Sequence, residues 1–141
     1  MTKHPNIELI ERFFTAFAKT DMNGIRSVLS ENVRWIIPGH HPLAGTKIGI
    51  PEVMAYFEQL AKADFTAEPK FLEANESYVV DVHRVYNKTG KVKLDGVSVL
   101  VWTFENSKVV EVQNFPGNQH EWDNFFWEMY SLKPLPDRLK I

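Results

Sequence analysis

Residues 31–45 of the chain read Glu-Asn-Val-Arg-Trp-Ile-Ile-Pro-Gly-His-His-Pro-Leu-Ala-Gly. The apolar run at residues 33–37 predicts a short strand, which ends at Pro38 because proline has no N–H to donate to a strand ladder. A turn that carries His40 and His41 follows directly. This stretch therefore predicts a strand that leads into a polar loop.

Helical patterns lie on both sides of this strand. Apolar residues recur at three- and four-residue steps between residues 5 and 19, which is typical of a helix with one buried face. Asp21 is a suitable N-cap for a second, shorter helix. Pro51 opens a third helical pattern, and a fourth extends from Gln119 to Ser131.

The remainder of the chain alternates apolar and polar residues with a period of two. This alternation predicts four strands, at residues 65–73, 77–87, 91–105 and 108–115. Asp95-Gly96 falls inside the third strand and indicates a bulge or a second turn. Helices first and strands after predict an α+β fold. A long, twisted antiparallel sheet can wrap around the helices and leave a pocket at its open end. We expect the tail, with Pro134 and Pro136, to be extended.

Composition narrows the class of protein. A chain of 141 residues predicts one domain, residues 1–141, with enough length to bury a core. A net charge of −2 provides no basic field for nucleic acid or an anionic membrane. The absence of cysteine excludes disulfides and thiol catalysis. Without a signal-like segment or a long apolar run, we expect a cytoplasmic protein that binds neither membranes nor nucleic acid.

Three segments of the chain form a recognisable pattern: residues 13–17 with Asp21, residues 35–45 continuing to Val53, and residues 108–111 followed by 123–127. In these segments the chain resembles the nuclear transport factor 2-like superfamily, and more narrowly its SnoaL-like, ketosteroid-isomerase-related members. Each segment is degenerate alone, but their order and spacing together are typical of the fold. The resemblance implies a cone-shaped α+β barrel, in which N-terminal helices pack inside a strongly curved mixed or antiparallel sheet around an internal pocket.

The chain departs from the isomerases at the positions that the resemblance assigns to chemistry. Ile37 occupies the place of the aspartate base, Phe13 that of the tyrosine donor, and about Leu100 that of the second, protonated donor. Asn118 stands where many SnoaL-like relatives have an acidic residue. Proton abstraction next to a carbonyl needs a base and a group that stabilises the enolate. The sequence therefore argues against ketosteroid isomerisation.

His83 is the best remaining candidate for acid–base chemistry. Strand alternation puts its side chain on the same face as Asp81, and the pattern of the isomerases directs that face into the cavity. A histidine beside a carboxylate in an apolar pocket is suited to proton transfer near neutral pH. The alternatives are a hydrogen-bonded structural histidine, or the opposite parity with His83 at a dimer interface.

A second group of residues is predicted to bind a ligand without taking part in proton transfer. Asn114 should face inward, either to orient a ligand or to bridge two strands as a satisfied amide. Of His40 and His41 at the cavity rim, we expect at most one to reach inside. His120 is as consistent with a position at the surface as with one near the mouth of the cavity. The predicted ligand-binding residues are Trp35, His41, Tyr56, Trp102 and Asn114.

No metal and no cofactor are predicted. A metal site needs three or four converging ligands, and the five histidines show neither a His-x-x-x-His pair nor a Glu-x-x-His motif. No glycine-rich phosphate loop occurs, and Ser98 lacks a nucleophile-elbow context.

Two hypotheses remain open. The first is a cofactor-free isomerase, cyclase or lyase that acts on a small, apolar, cyclic molecule, with His83 and Asp81 as its catalytic pair. The second is a non-catalytic module that binds a small molecule or a protein partner. Either way we expect a homodimer, because β-branched residues should line the convex face of the sheet, and soluble monomers rarely expose such a patch. The residues that alternate with the inward set are Val80, Val82 and Arg84 on one strand and Val97, Val99 and Val101 on the next, and the valines among them are β-branched.

Overall fold

The computed structural model describes residues 3–90 and 92–130. It consists of four helices and a curled six-stranded sheet. In chain order the elements are α1 (Pro5–Ala18), α2 (Met22–Val28), β1 (Leu29–Ile37), β2 (Gly45–Ile48), α3 (Gly49–Lys62), β3 (Phe65–Ala74), β4 (Tyr78–Asn87), β5 (Asp95–Glu105), β6 (Lys108–Pro116) and α4 (Gln119–Met129).

Side chains at the helix starts explain where the helices begin. Asp21 accepts a hydrogen bond from the N–H of Gly24 at 3.0 Å, which confirms it as the N-cap of α2. Asn118 does the same for α4 by accepting from the N–H of Glu121 at 3.1 Å. The amide that replaces the acidic residue of the relatives thus has a local structural use.

The sheet is mixed, with the strand order β2-β1-β6-β5-β4-β3. Of the two predicted alternatives, a mixed or an antiparallel sheet, the structure shows the mixed one, because β1 and β6 run parallel. β2 was not predicted, since its four residues show no apolar alternation, yet it pairs with β1 from Arg34↔Ile48 to Ile37↔Gly45. β1 and β6 therefore lie in the interior of the sheet, and β2 and β3 form its edges.

The connection between β4 and β5 differs from the prediction. β5 begins at Asp95, so Asp95-Gly96 opens the strand and does not interrupt it. The Asn87 side chain closes the connection by donating to the carbonyls of Thr89 and Val92 and by accepting from the N–H of Leu94 at 2.7 Å. These bonds fix where β5 starts and, with it, the register of the two strands.

Helices α1 and α3 pack on the concave face of the sheet around an aromatic core. Phe13 lies at its centre, with its ring centroid 4.9 Å from that of Trp102 and 5.7 Å from that of Phe57. This arrangement confirms the predicted cone-shaped α+β fold. Within residues 3–90 and 92–130, no helix is long and apolar enough to cross a membrane. Ser131, Pro134 and Pro136 lie outside the described residues.

Candidate active site

A buried carboxylate and a buried imidazole form the centre of the site. Asp81 and His83 both lie on β4, and their side chains point to the concave face, as strand alternation predicts. Asp81 is fully buried, and His83 is only 4% exposed. His83 Nδ1 lies 2.5 Å from Asp81 Oδ1. The second carboxylate oxygen accepts a hydrogen bond from the indole N–H of Trp102.

These contacts assign a tautomer to neutral His83 from the hydrogen-bond geometry. The carboxylate of Asp81 is acceptor-only when ionised, so the proton between the two groups resides on Nδ1 of His83. Nε2 is then the ring nitrogen left to exchange a proton with a ligand. Histidines that serve as general bases show the same arrangement: one ring nitrogen is hydrogen-bonded to a carboxylate, and the other accepts the proton.

Strand register adds two polar residues to the same face. Ser98 on β5 lies opposite His83, and Asn114 on β6 lies opposite Leu100. The Ser98 hydroxyl donates to Asn114 Oδ1 at 2.6 Å, and both residues are buried. With its oxygen occupied, Asn114 retains an NH₂ group that can donate to a ligand oxygen. The sheet thus holds a polar cluster of Asp81, His83, Ser98 and Asn114 inside an apolar cone.

A cavity of about 40 Å³ lies against this cluster. That volume accommodates no more than a few water molecules, so a ligand can enter only if aromatic side chains turn aside. His83, Asn114, Trp35 and Tyr56 line the cavity, which places four of the predicted site residues around one space. Most of the remaining wall is hydrocarbon, chiefly from Phe13, Phe14, Phe17, Phe57, Leu60, Phe65, Leu100 and Trp122.

Tyr56 provides a hydroxyl on the helical side of the cavity. Its side chain is buried, and burial, with a smaller effect from the nearby Tyr130, raises its pKa well above the usual value of 10. The hydroxyl therefore stays protonated at any physiological pH and can act as a hydrogen-bond donor. Trp35 lies beside it, with ring centroids 6.5 Å apart.

Trp102 does not line the cavity. Its side chain is fully buried, and its only N–H is directed at Asp81. The structure therefore gives the predicted ligand-binding role of Trp102 no support and assigns it the positioning of the carboxylate.

His41 lies outside the cavity wall as well. Its ring stacks on Phe126 with centroids 4.7 Å apart, and Nδ1 accepts from the N–H of Leu43 at 3.1 Å. Its Nε2 is buried without a hydrogen-bond partner among the described residues. Burial lowers the pKa of His41 from 6.5; Lys47 also lowers it, whereas Asp123 and the Pro38 carbonyl oppose this.

The other loop histidines are surface residues. The His40 side chain is exposed, while its backbone N–H donates to Asp123 at 3.2 Å and its carbonyl accepts from Trp127 at 2.5 Å. His120 is exposed on α4 and lies 3.2 Å from the Asn124 amide nitrogen. These contacts fasten the loop after β1 to α4 and leave neither imidazole near the polar cluster.

The positions that the isomerases use are filled with hydrocarbon in three dimensions too. Phe13 and Ile37 are buried in the core, and Leu100 lines the cavity. In the described part of the chain, no three His, Asp or Glu side chains lie close enough together to bind a metal ion. The arrangement that remains is an oriented imidazole with neutral donors near it.

Ser98 is the member of the cluster that sequence reasoning missed. The signal lay in the register of β4 and β5, which pairs His83 with Ser98. That register depends on the hydrogen bonds of the Asn87 side chain. The sequence left open whether Asp95-Gly96 forms a bulge or a second turn, so the pairing of His83 with Ser98 could not be predicted.

Comparison with known proteins agrees with this architecture. The SnoaL-like domain model matches residues 10–112. The uncharacterised protein Rv0034 of Mycobacterium tuberculosis is 27% identical over 131 residues, covering 89% of this chain and 99% of that protein. Bal32a, from a soil-derived mobile gene cassette, superposes with a TM-score of 0.83 at 25% identity, covering 86% of this chain and 96% of Bal32a. An NTF2-like protein of Burkholderia pseudomallei, at 24% identity, gives a TM-score of 0.76, with coverage of 88% and 98%.

Proposed function

This chain belongs to the SnoaL-like domain family, and on that premise we propose that it is a cofactor-free isomerase, cyclase or lyase that acts on a small, largely apolar, cyclic molecule. His83 is its general acid–base, and Asp81 orients and stabilises the imidazole. Tyr56 and Asn114 hold an oxygen of the ligand. The observation that supports this assignment most is the buried Asp81–His83 pair at the wall of an apolar cavity.

Burial of a carboxylate is costly, which makes this pair informative. An ionised group inside an apolar core costs several kcal/mol unless hydrogen bonds compensate, and a hydrocarbon packs the same space without that cost. Asp81 receives two N–H donors, from His83 and Trp102, yet the resulting unit leaves Nε2 of His83 without a protein partner among the described residues. An oriented imidazole with one free nitrogen is the arrangement that general acid–base catalysis needs.

The proton transfer follows from this geometry. Neutral His83 removes a proton from a carbon next to a carbonyl of the ligand, and the N–H bond forms at Nε2 while the C–H electron pair moves into the enolate. Asp81 stabilises the resulting imidazolium, and the donors at Tyr56 and Asn114 face the enolate oxygen. Return of the proton to another carbon gives isomerisation. Its transfer to a departing hydroxyl gives elimination, and its transfer to the alkoxide formed by internal attack gives cyclisation.

Deuterium exchange tests this proposal without knowledge of the natural substrate. A panel of small cyclic ketones is incubated with the protein in D₂O, and loss of the α-proton signals is followed by ¹H NMR. We expect exchange above the buffer rate for at least one ketone. His83→Gln should abolish that exchange, because glutamine occupies a similar volume and cannot carry the proton.

A melting curve of the same variant separates catalysis from structure. If His83 is only structural, His83→Gln lowers the thermal stability, by a cost of order 1–3 kcal/mol for a buried partner left unsatisfied, and no ketone exchanges even in the wild type. His120→Gln is the matched control, since His120 is exposed and remote from the cluster. Wild-type exchange that persists in His83→Gln would refute the acid–base role.

A second candidate function is binding without catalysis. The small cavity favours it, as does the hydrocarbon at Phe13 and Ile37, where the isomerases place polar groups. In that case the cluster only orients a ligand. Calorimetric titration with the same ketones distinguishes the two functions, because a binder shows saturation with no deuterium exchange.

We also propose that the protein is a homodimer, associated through the convex face of the sheet. One continuous row of apolar side chains crosses four strands there, through the register pairs Phe71↔Val82, Val82↔Val99 and Val99↔Phe115. The two ends of the row, Phe71 and Phe115, are 55% and 51% exposed. An apolar strip of this extent suits a second copy of the same face, related by a twofold axis.

A further inference from the structure

A second cavity, of about 160 Å³, lies next to the first and opens to the surface. It is bounded by the end of α1, the start of α2, the last turn of α3 and the first residues of β3. Its floor is apolar and includes Ile25 and Met22, whereas its rim carries Thr20, Asp64 and Lys88. Neither Asp81 nor His83 lines this outer cavity.

The cavity beside His83, which we call the inner cavity, shares a wall with the outer cavity. Phe17, Phe57, Phe65 and Ala67 line both of them. The rings of Phe17 and Phe57 meet edge to face, with centroids 5.9 Å apart. Phe17 and Phe65 are only partly buried, so rotation of either ring is less restricted by packing than that of Phe57, which is 2% exposed. Movement of these two rings would join the outer cavity to the polar cluster.

The two volumes suggest how a ligand would be distributed. A cavity of about 150 Å³ holds a benzene ring, so the outer cavity has the size of one ring. The inner cavity, at about 40 Å³, is too small for a ring while the aromatic wall is closed, although a single oxygen substituent fits beside His83 and Asn114. A molecule that fills both is therefore longer than one ring and carries an oxygen at its inner end.

The rim favours an acidic group at the outer end. Lys88 is exposed, and no carboxylate among the described residues forms a salt bridge with it. The carboxylate of Asp64 instead accepts a hydrogen bond from the Thr89 hydroxyl. The ammonium group of Lys88 is thus available to an anionic substituent that projects from the outer cavity.

From these features we infer that the two cavities form one elongated site for a bicyclic aromatic molecule with a hydroxyl or keto oxygen at its inner end and a carboxylate at its outer end. The inference rests on the proposed function, since it uses His83 as the inner contact. It adds the outer cavity, the aromatic wall and Lys88, and it names the class of ligand.

Two matched probes test the site by isothermal titration calorimetry on the full chain. They are 6-hydroxy-2-naphthoic acid and 2-naphthol, which differ by the outer carboxylate. Ala61→Leu fills the outer cavity from the exposed side of α3. Lys88→Gln removes the rim charge, and Lys93→Gln, an exposed residue on the same β4–β5 connection outside both cavities, is its charge-matched control. A melting curve verifies that each variant is folded.

We expect both probes to bind the wild type, and Ala61→Leu and His83→Gln each to weaken both by about tenfold or more. Lys88→Gln should weaken the naphthoate by about two- to fivefold, the range of a solvent-exposed ion pair, and leave 2-naphthol unchanged. Lys93→Gln should change neither affinity.

The failures can be told apart. If His83→Gln weakens binding while Ala61→Leu and Lys88→Gln do not, the elongated site is refuted and the proposed function stands. If Ala61→Leu weakens binding while His83→Gln does not, the ligand stops in the outer cavity and the joined site is refuted. Absence of binding of both probes to the wild type would overturn the ligand class, whereas the deuterium-exchange panel tests the proposed function independently.

Discussion

Asp81 accepts the Nδ1 proton of His83 from two positions earlier on the same strand, with 2.5 Å between Oδ1 and Nδ1. The spacing of two makes both side chains point into the cone, and the fully buried carboxylate then depends on N–H donors in place of water. His83 and Trp102 provide those donors. The carboxylate of Asp81 therefore bridges the indole of Trp102 and the imidazole of His83.

The first prediction concerns that carboxylate. Asp81→Asn retains the shape but replaces an ionised acceptor by a neutral amide, whose oxygen serves Trp102 and whose NH₂ group requires His83 to accept at Nδ1. Charge-assisted hydrogen bonds are thereby replaced by weaker neutral ones. We expect the free energy of unfolding to fall by about 1–3 kcal/mol, measured by chemical denaturation. Asp95→Asn is the control, because Asp95 pairs with Arg84 at the surface and its replacement should leave the stability nearly unchanged. Equal stability of Asp81→Asn and the wild type would contradict the buried hydrogen bonds.

The second prediction concerns the pH dependence of stability. Burial lowers the pKa of His41 below its usual 6.5, so between the two values the unfolded chain binds more protons than the folded one. The stability contributed by neutral His41 is present above pH 6.5 and is lost as the pH falls below it. The slope stays under about 1.4 kcal/mol per pH unit, the limit for one proton.

Denaturation series across this pH window measure the effect. His41→Gln retains an acceptor for the N–H of Leu43 but does not titrate, and it should flatten the curve below pH 6.5. His40→Gln, in the exposed neighbouring position, should reproduce the wild-type curve. A wild-type slope that survives in His41→Gln would assign the effect to another group.

The third prediction is the oligomeric state. Light scattering should give twice the chain mass of 16.3 kDa at micromolar concentration. Val99 stands in the middle of the apolar row, so Val99→Lys should give the monomer mass, whereas Thr15→Lys on the exposed side of α1 should not. A wild-type mass of one chain would refute the dimer.

The fourth prediction is that Δ5-3-ketosteroids are not isomerised at a useful rate. The base position holds Ile37 and the donor position Phe13, and both are buried hydrocarbon. Loss of one preorganised donor alone commonly lowers the rate by about 10² to 10³. Formation of the conjugated enone, followed by ultraviolet absorbance, should match the buffer rate. Rapid turnover that is lost in His83→Gln would instead show that His83 replaces the missing base.

Periodicity predicted most of the fold and the centre of the site. The alternation of β4 set the common face of Asp81 and His83, and the helical spacing located α1 and α3 within a residue or two. These features depend on local sequence, because one buried face imposes its period on the chain. The Asp21 cap was predictable for the same reason, since it involves only Gly24 three residues away.

Features that depend on pairing between distant segments were not predictable from the chain alone. The parallel pairing of β1 with β6 and the short edge strand β2 have no local signature. Trp102 was expected to contact the ligand, yet its indole faces Asp81, because a strand pattern sets the side of the sheet and not the direction of a hydrogen bond. His41 was expected in the pocket, but stacking on Phe126 draws its ring toward α4.

The protonation pattern of His83 tests the central claim most directly. Long-range ¹H–¹⁵N NMR of the protein with ¹⁵N-labelled histidine, recorded at mildly alkaline pH, distinguishes the two neutral tautomers. We predict that Nδ1 of His83 carries the proton and that Nε2 is unprotonated, because Asp81 accepts at Nδ1. Asp81→Asn should shift the population toward the Nε2–H form. A wild-type His83 with its proton on Nε2 would contradict the account, since the nitrogen assigned to take a proton from the ligand would already hold one.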